Sequence, residues 1–237
     1  FEPTRSGKVA MEMIKGFYGV VMTDGYSGYN FLSETDGIIH AYCWAHLRRY
    51  FFDAMTNDEK VGEVIDYIDE LFEVEHLATG FDDLKILRSN KSTVIFQKID
   101  DWIRDNESSY LTSTLSGKAI KYYLNQREGL MHFLKNVHVP LSNNMAESKQ
   151  RCPVMGRKNF QAFRSINGAD VGMFFYSMIE SCKMNGLSPA EYLLKMSINK
   201  LKNEKIQTPY QYASQLKNEI EIKLRRELLD GICKDSS

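Results

Sequence analysis

The sequence predicts an α/β fold: a small sheet with covering helices, interrupted by a large all-helical insertion and followed by a helical tail. Three observations lead there. Two short apolar runs, residues 19–23 and 38–42, are each coupled to a segment of helical periodicity, the alternation that builds a sheet covered by helices. From residue 61 to 136 the periodicity is helical only. Beyond Pro140 a series of capping signals marks further helices.

Taken in order, residues 6–17 (SGKVAMEMIKGF) carry apolar side chains at helical spacing, and GVVMT after them is short, β-branched and closed by Asp24-Gly25. The run Ile38 to Tyr42 leads into WAHLRRYFFDAM, in which Leu47, Tyr50, Phe51 and Ala54 share a helical face. Val61, Val64, Ile65, Ile68, Leu71 and Phe72 open the helical stretch, and segments 95–103 and 119–134 continue it. A helix over 145–151 is expected to stop at Pro153, since proline lacks the N–H and clashes with the preceding turn. A basic connector (156–168) and a long helix from Ala169 come next. Asn185-Gly186 suits the end of that helix, Ser188-Pro-Ala-Glu191 and Thr208-Pro-Tyr-Gln211 are start signals, and the last helix is expected over roughly 209–229. The expected organisation is a core of residues 1–60 and 138–200, an insertion of 61–137 and a tail of 201–237.

The chain has 237 residues, 43% of them hydrophobic, enough to fill a core. No run approaches the roughly 18 apolar residues of a membrane helix, and no signal-peptide pattern opens the sequence, so cytoplasmic residence without membrane association is expected. Cys43, Cys152, Cys182 and Cys233 form no C-x-x-C pair, and no disulfide is expected. The net charge of -1 excludes a uniformly basic nucleic-acid binder, yet the charge is unevenly placed. Residues 51–110 hold fifteen acidic and six basic side chains, a balance of -9 that repels phosphate. Between 142 and 168, Lys149, Arg151, Arg157, Lys158 and Arg164 outweigh Glu147. Such a run is either a solvated face or a phosphate contact.

Two carboxylates stand out by position. Asp24 sits where a buried strand runs out, the edge at which α/β sheets collect ligands, although Asp-Gly is also plain turn chemistry. Glu147 lies early in a helix, four residues before Arg151; with Asn144 as the cap it would also complete a capping-box pattern. Cys43 and His46, three apart at a helix start, are half of a zinc-ligand pattern whose other half is missing, and His132 and His138 have no partner at ligand spacing.

Together, the strings TDGYSGY (23–29), CWAHLRRYF (43–51), SNNMAES (142–148), GRKNFQAF (156–163) and NGLSPAEYL (185–193) resemble, in order and spacing, bacterial transposases of the insertion-sequence sixty-six family. The resemblance covers most of the chain and is weakest in the acidic helices and the tail. It implies a partial ribonuclease-H-like core with an Asp, Asp, Glu active site, in which Asp24 is the second Asp and Glu147 the Glu. The helical insertion before the Glu-bearing helix and the Cys43-x-x-His46 element beside the active site are implied too. The first Asp is expected on a strand preceding Phe1; Asp36 and Asp53 lie in the wrong elements to replace it. Ser142 and Ser148 stand where the family pattern usually has Asp and Arg.

The activity implied is cleavage and joining of double-stranded DNA, at transposon ends and target, using two Mg²⁺ or Mn²⁺ ions roughly 3.5–4 Å apart. Mg²⁺ prefers oxygen and needs few protein carboxylates beside substrate phosphate, so Asp24 and Glu147 are the expected metal ligands and catalytic groups. His46, Arg48, Arg49, Asn143, Asn144, Arg157, Lys158 and Arg164 are the expected DNA contacts. Paired transposon ends imply a homodimer. No G-x-x-x-x-G-K-[ST] loop is present, consistent with a reaction that uses no nucleoside triphosphate. Residues 1–237 alone are expected to be inactive for want of the first Asp. The alternatives are a metal-dependent nuclease on the same core and a non-catalytic DNA-binding or assembly module.

Overall fold

A computed structural model describes Thr4, residues 6–159, Phe163 and residues 165–220; the side chains of Arg157 and Asn159 lie outside this set. The chain forms two compact units, residues 2–148 and residues from 149 on, each with its own core.

In the first unit, α1 (Gly7–Met13) starts where Ser6 Oγ accepts from the Lys8 N–H and is shorter than its apolar pattern suggests. The chain turns at Gly16, whose φ of 79° lies in the left-handed region that only glycine enters freely. β1 (Gly19–Thr23) and β2 (Ile38–Tyr42) pair in parallel, with Gly19 opposite Ile38 and Thr23 opposite Tyr42. These are the two strands expected, and they are the only ones among the described residues, so the sheet is much smaller than an α/β fold implies and the structure is mostly helical. β2 feeds α2 (Trp44–Met55) directly.

The helical stretch contains α3 (Gly62–Leu77), α4 (Phe81–Leu87), α5 (Thr93–Asn106), α6 (Leu115–Leu130) and the short α7 (His132–Lys135). It shares one core with the strands and α2. Trp44 is buried at its centre, edge-on to Phe96 of α5 and Phe133 of α7, and Phe51 meets Trp102. Between α4 and α5 the helix widens over Arg88–Ser92, a local bulge that turns Arg88 inward. The guanidinium of Arg88 donates twice to Glu75 (2.7 and 2.6 Å) and to the carbonyls of Phe133, Asn136, Val137 and Val139 (2.7–3.3 Å). A buried charge is tolerated because a carboxylate neutralises it and its N–H groups are all directed at acceptors. Through these bonds Arg88 fixes the segment that leads out of the helical stretch towards Leu141.

α8 (Asn144–Asn159) corrects two expectations. It runs through Pro153 instead of stopping there, and residues 156–159 of the expected connector belong to it. The proline cost is offset by packing on either side of it. Lys149 reaches Glu180 of α9 (Ile166–Met184), and Gly156 lies so close to the Tyr176 hydroxyl that a Cβ there would clash. The helix also begins at Asn144, with the Glu147 N–H donating to Asn143 O (3.0 Å), so Asn144 is not the cap and the capping-box alternative for Glu147 falls.

In the second unit α9 starts three residues earlier than its apolar pattern, because the Ser165 hydroxyl caps it by accepting from Gly168 N–H. Gly186 (φ 68°) ends it, and Ser188 caps α10 (Pro189–Leu201). Thr208 and Gln211 bond reciprocally at the head of a helix described over 209–220; the remainder of the expected 209–229 helix lies outside the described residues. Cys182, Tyr192 and Met196 form the small core. Cys43, Cys152 and Cys182 are free thiols. No described helix is long and apolar enough to cross a membrane.

Replacing Arg88 with Met orphans Glu75 and four carbonyls, a loss on the order of 3–5 kcal/mol for breaking a buried pair. The melting temperature should fall by roughly 10 °C, measured by thermal circular dichroism, and a fall of less than about 2 °C would show that the tie is not structural.

Candidate functional site

Asp24 occupies the first position after β1 and is exposed. Its Oδ1 accepts from the Tyr26 N–H (3.0 Å), so the turn chemistry read in the sequence is real and itself orients the carboxylate. The turn is held from beneath by α6: the Tyr122 hydroxyl donates to the Asp24 carbonyl (2.7 Å), and Gln126 lies against Gly25. Gly25 is favoured by its φ of 79°, and a Cβ there would also push aside the end of the Gln126 side chain. Burial, with Tyr50 adding to it, pushes the Tyr122 hydroxyl far above its ordinary value, so it stays a donor.

Behind Asp24, Thr23 Oγ1 contacts His40 Nε2 (2.8 Å), and Ser33 Oγ contacts His40 Nδ1 (2.9 Å). Burial, helped by nearby His132, lowers the His40 pKa to about 4. The ring is therefore neutral at pH 7 and bonds both hydroxyls.

Glu147 comes to Asp24 by way of Trp44. The Trp44 N–H donates to Leu141 O (2.9 Å) and its indole N–H to Leu130 O (3.0 Å), pinning the returning chain to the head of α2. Glu147 Oε1 then lies 3.6 Å from His46 Nε2. Cys43, fully buried, donates its N–H to Thr23 O and so joins the head of α2 to the end of β1. Burial opposes ionisation of the Cys43 thiol, but bonding to His46 and to the Asn143 backbone prevails, and its pKa lies below the ordinary value. The His46 pKa is raised, first by the Cys43 thiol and against the effect of burial, then by the charges of Glu147 and Asp24. The thiol approaches the ring without satisfying it: among the described residues His46 Nδ1 and Asn143 Oδ1 are buried polar atoms with no hydrogen-bond partner.

Asp24 and Glu147 line one cleft of about 370 Å³, with Thr23, Leu32 and Asn143 in its wall. A second cleft of about 450 Å³ flanks Asp24 and is lined by Tyr26, His46, Arg49, Tyr50 and Asp53. Among the described residues no group of three His, Cys, Asp or Glu side chains is arranged to hold a metal ion. Two exposed carboxylates on one cleft nonetheless fit a hard divalent ion that takes its other oxygens from water and phosphate.

Residues 1–171 match the family described as Transposase IS66 family. The chain belongs to that family. Its curated relatives in Sinorhizobium fredii include "Uncharacterized protein y4hP", 28% identical over 80% of this chain and 38% of the relative, and "Uncharacterized protein y4jD", 27% identical over 81% and 40%. The chain thus spans about two fifths of the length of these IS66 relatives. No solved structure matches it.

The expected contact residues are dispersed in environment. His46 and Asn143 stand at the carboxylates, Asn144 is exposed at the head of α8, and Arg49 is exposed in the second cleft. Arg48 forms a two-pronged pair with Asp69 of α3 (2.6 and 2.7 Å), a tie between helices, and its side chain stays partly exposed there. Lys158 is exposed on α8; the Arg157 side chain and Arg164 lie outside the described residues. Tyr122 and Gln126 carry no functional signal in the sequence, where a Tyr and a Gln four apart on an apolar helix face read as core.

His40 tests the support beneath Asp24. Its folded pKa is below the unfolded value of about 6.5, so the unfolded chain binds more protons between about pH 4 and 6.5. Its contribution to stability is present above that window and lost as pH falls through it. Melting temperature should drop between pH 7 and 4.5, and less so in His40→Gln; equal pH dependence in both proteins would refute the assignment.

Proposed function

We propose that this chain is part of the catalytic region of a DNA transposase, with a partial ribonuclease-H-like core on which Asp24 and Glu147 are two of three metal-binding carboxylates. The observation that supports it most is the convergence of these two side chains, far apart in sequence, on one cleft in a chain of the IS66 family. The third carboxylate would come from the Asp that the family pattern places before Phe1. Mg²⁺ or Mn²⁺, when bound, would activate the attacking oxygen and neutralise the phosphate in cleavage and strand transfer. Asp24 would hold its ligand geometry through the Tyr26 and Tyr122 bonds, and His46 would orient Glu147. Asn143, Asn144, Arg49 and Lys158 would meet DNA, together with Arg157 and Arg164, and the paired ends of the substrate favour a homodimer.

The test uses a protein of the relatives' full length. Asp24→Asn and Glu147→Gln should each reduce metal-dependent cleavage of transposon-end DNA by more than about 100-fold while leaving DNA affinity within about threefold, because phosphate contacts lie elsewhere. Undiminished cleavage would remove both from the active site. A strand-transfer assay on the unaltered protein separates a transposase from a nuclease, which cleaves without joining.

Arg157→Ala with Lys158→Ala should weaken binding to all DNA sequences alike. The slope of log affinity against log salt should become shallower by about 1.8. An unchanged slope would exclude these two side chains from the phosphate contacts.

A further inference from the structure

The second cleft, beside Asp24 but outside the shared cleft of the two carboxylates, has a composition of its own. At about 450 Å³ it lies within the roughly 300–1,000 Å³ range of small-ligand sites. Two tyrosines line it and remain exposed, Tyr26 by 50% and Tyr50 by 43%. Tyr50 is stacked on Tyr122 (centroids 4.3 Å apart, 29° between planes), and Tyr122 is the residue that bonds the Asp24 carbonyl. The Tyr50 side of the wall is thus joined by packing to the carboxylate turn, and Tyr26 lies edge-on to Tyr29. Arg49 is the cleft's strong cation, exposed and without an ion pair to any described residue. Against it stand Asp24 and Asp53, so the interior does not favour a cluster of phosphates. Flat aromatic surface, one cation and an acidic back wall suit a neutral ring with a phosphate at its margin, the pattern of single-strand stacking platforms.

We propose that this cleft is a subsite for one unpaired base of a nucleic-acid strand, stacked on Tyr50 and Tyr26, with Arg49 on the adjoining phosphate. The proposal rests on the DNA-processing reading of the neighbouring carboxylates and adds to it a place where the strand is held unpaired next to them. The base contacts are aromatic and independent of base identity.

The full-length protein is titrated with fluorescein-labelled ten-nucleotide oligothymidylate and with an abasic ten-unit strand of equal charge, in chelator, so that neither cleavage nor metal binding enters. The unaltered protein should bind the base-bearing strand about 5- to 100-fold more tightly. Tyr26→Ala and Tyr50→Leu should each shrink that ratio, whereas Tyr50→Phe, which keeps the ring, should restore it. Arg49→Ala should weaken both strands equally and make the salt slope shallower by about 0.7. Circular dichroism identifies any variant that fails to fold, and exposed Tyr26 supplies the readout if Tyr50 variants do. Equal binding of the two strands by the unaltered protein, or a ratio untouched by Tyr26→Ala, would overturn the subsite. Thymidine monophosphate competing as well as the oligonucleotide would overturn it too, in favour of a free mononucleotide. None of these outcomes bears on Asp24 or Glu147, whose reading stands or falls on cleavage.

Discussion

Trp44 sets the geometry on which the candidate site depends. Its backbone and indole N–H groups hold Leu141 and Leu130, carbonyls on either side of the segment that returns from the helical stretch. Its ring is buried against Phe96 and Phe133. Because Trp44 directly succeeds Cys43 and lies two residues before His46, the chain beyond Leu141 arrives beside those groups, and it carries Asn143 and Glu147 there. One aromatic residue therefore converts a long sequence separation into a 3.6 Å approach of Glu147 to His46. Buried N–H donors are costly to leave unpaired, so the arrangement is held by the penalty of any alternative as much as by the bonds themselves.

The helical stretch is a buttress of the site more than an appendage to it. Tyr122 and Gln126 of α6 support the Asp24-Gly25 turn, and Arg88 at the bulge before α5 fixes the carbonyls of the returning strap. Its acidity also has an internal use. Asp69 engages Arg48, Glu75 engages Arg88, and Asp100 engages both Arg127 and the Tyr123 hydroxyl. Part of the negative balance seen in the sequence is thus consumed in ties between helices, which qualifies its reading as a surface that only repels phosphate.

Around the carboxylates, the surroundings shift the two imidazoles in opposite directions. His40 stays neutral because burial disfavours its cation, and in that state it bonds hydroxyls on both sides. His46 is shifted the other way by the Cys43 thiol and the two carboxylates, which favours a donor facing Glu147. Two imidazoles close to one turn thus have opposite tendencies, and the difference arises from what each faces, a thiol and two carboxylates for His46, and burial among neutral hydroxyls with a second imidazole nearby for His40.

Local pattern was enough to read the two strands, the helix after the second, the all-helical run, the caps at Ser188 and Thr208, and the strand-end position of Asp24. Each depends on side chains within a few residues, where hydrophobic period and hydrogen-bonding turn residues act directly. The motif strings pointed to the family, and the match over residues 1–171 agrees. Local pattern misjudged α8, since a proline is a reliable stop only where packing does not override it, and here the helix packs on α9 on both sides of Pro153, Lys149 at Glu180 before it and Gly156 at Tyr176 after it. It also gave no sign of the pairing of Arg48 with Asp69, which is distant in sequence. The resemblance also put Asp24 and Glu147 in one site, but the Trp44 tie that brings Glu147 to His46, the Tyr122 and Gln126 support and the Arg88 strap were decided by tertiary structure alone. All of them join residues across long loops, and a sequence shows which groups can bond but not which of many possible partners the folded core brings within reach.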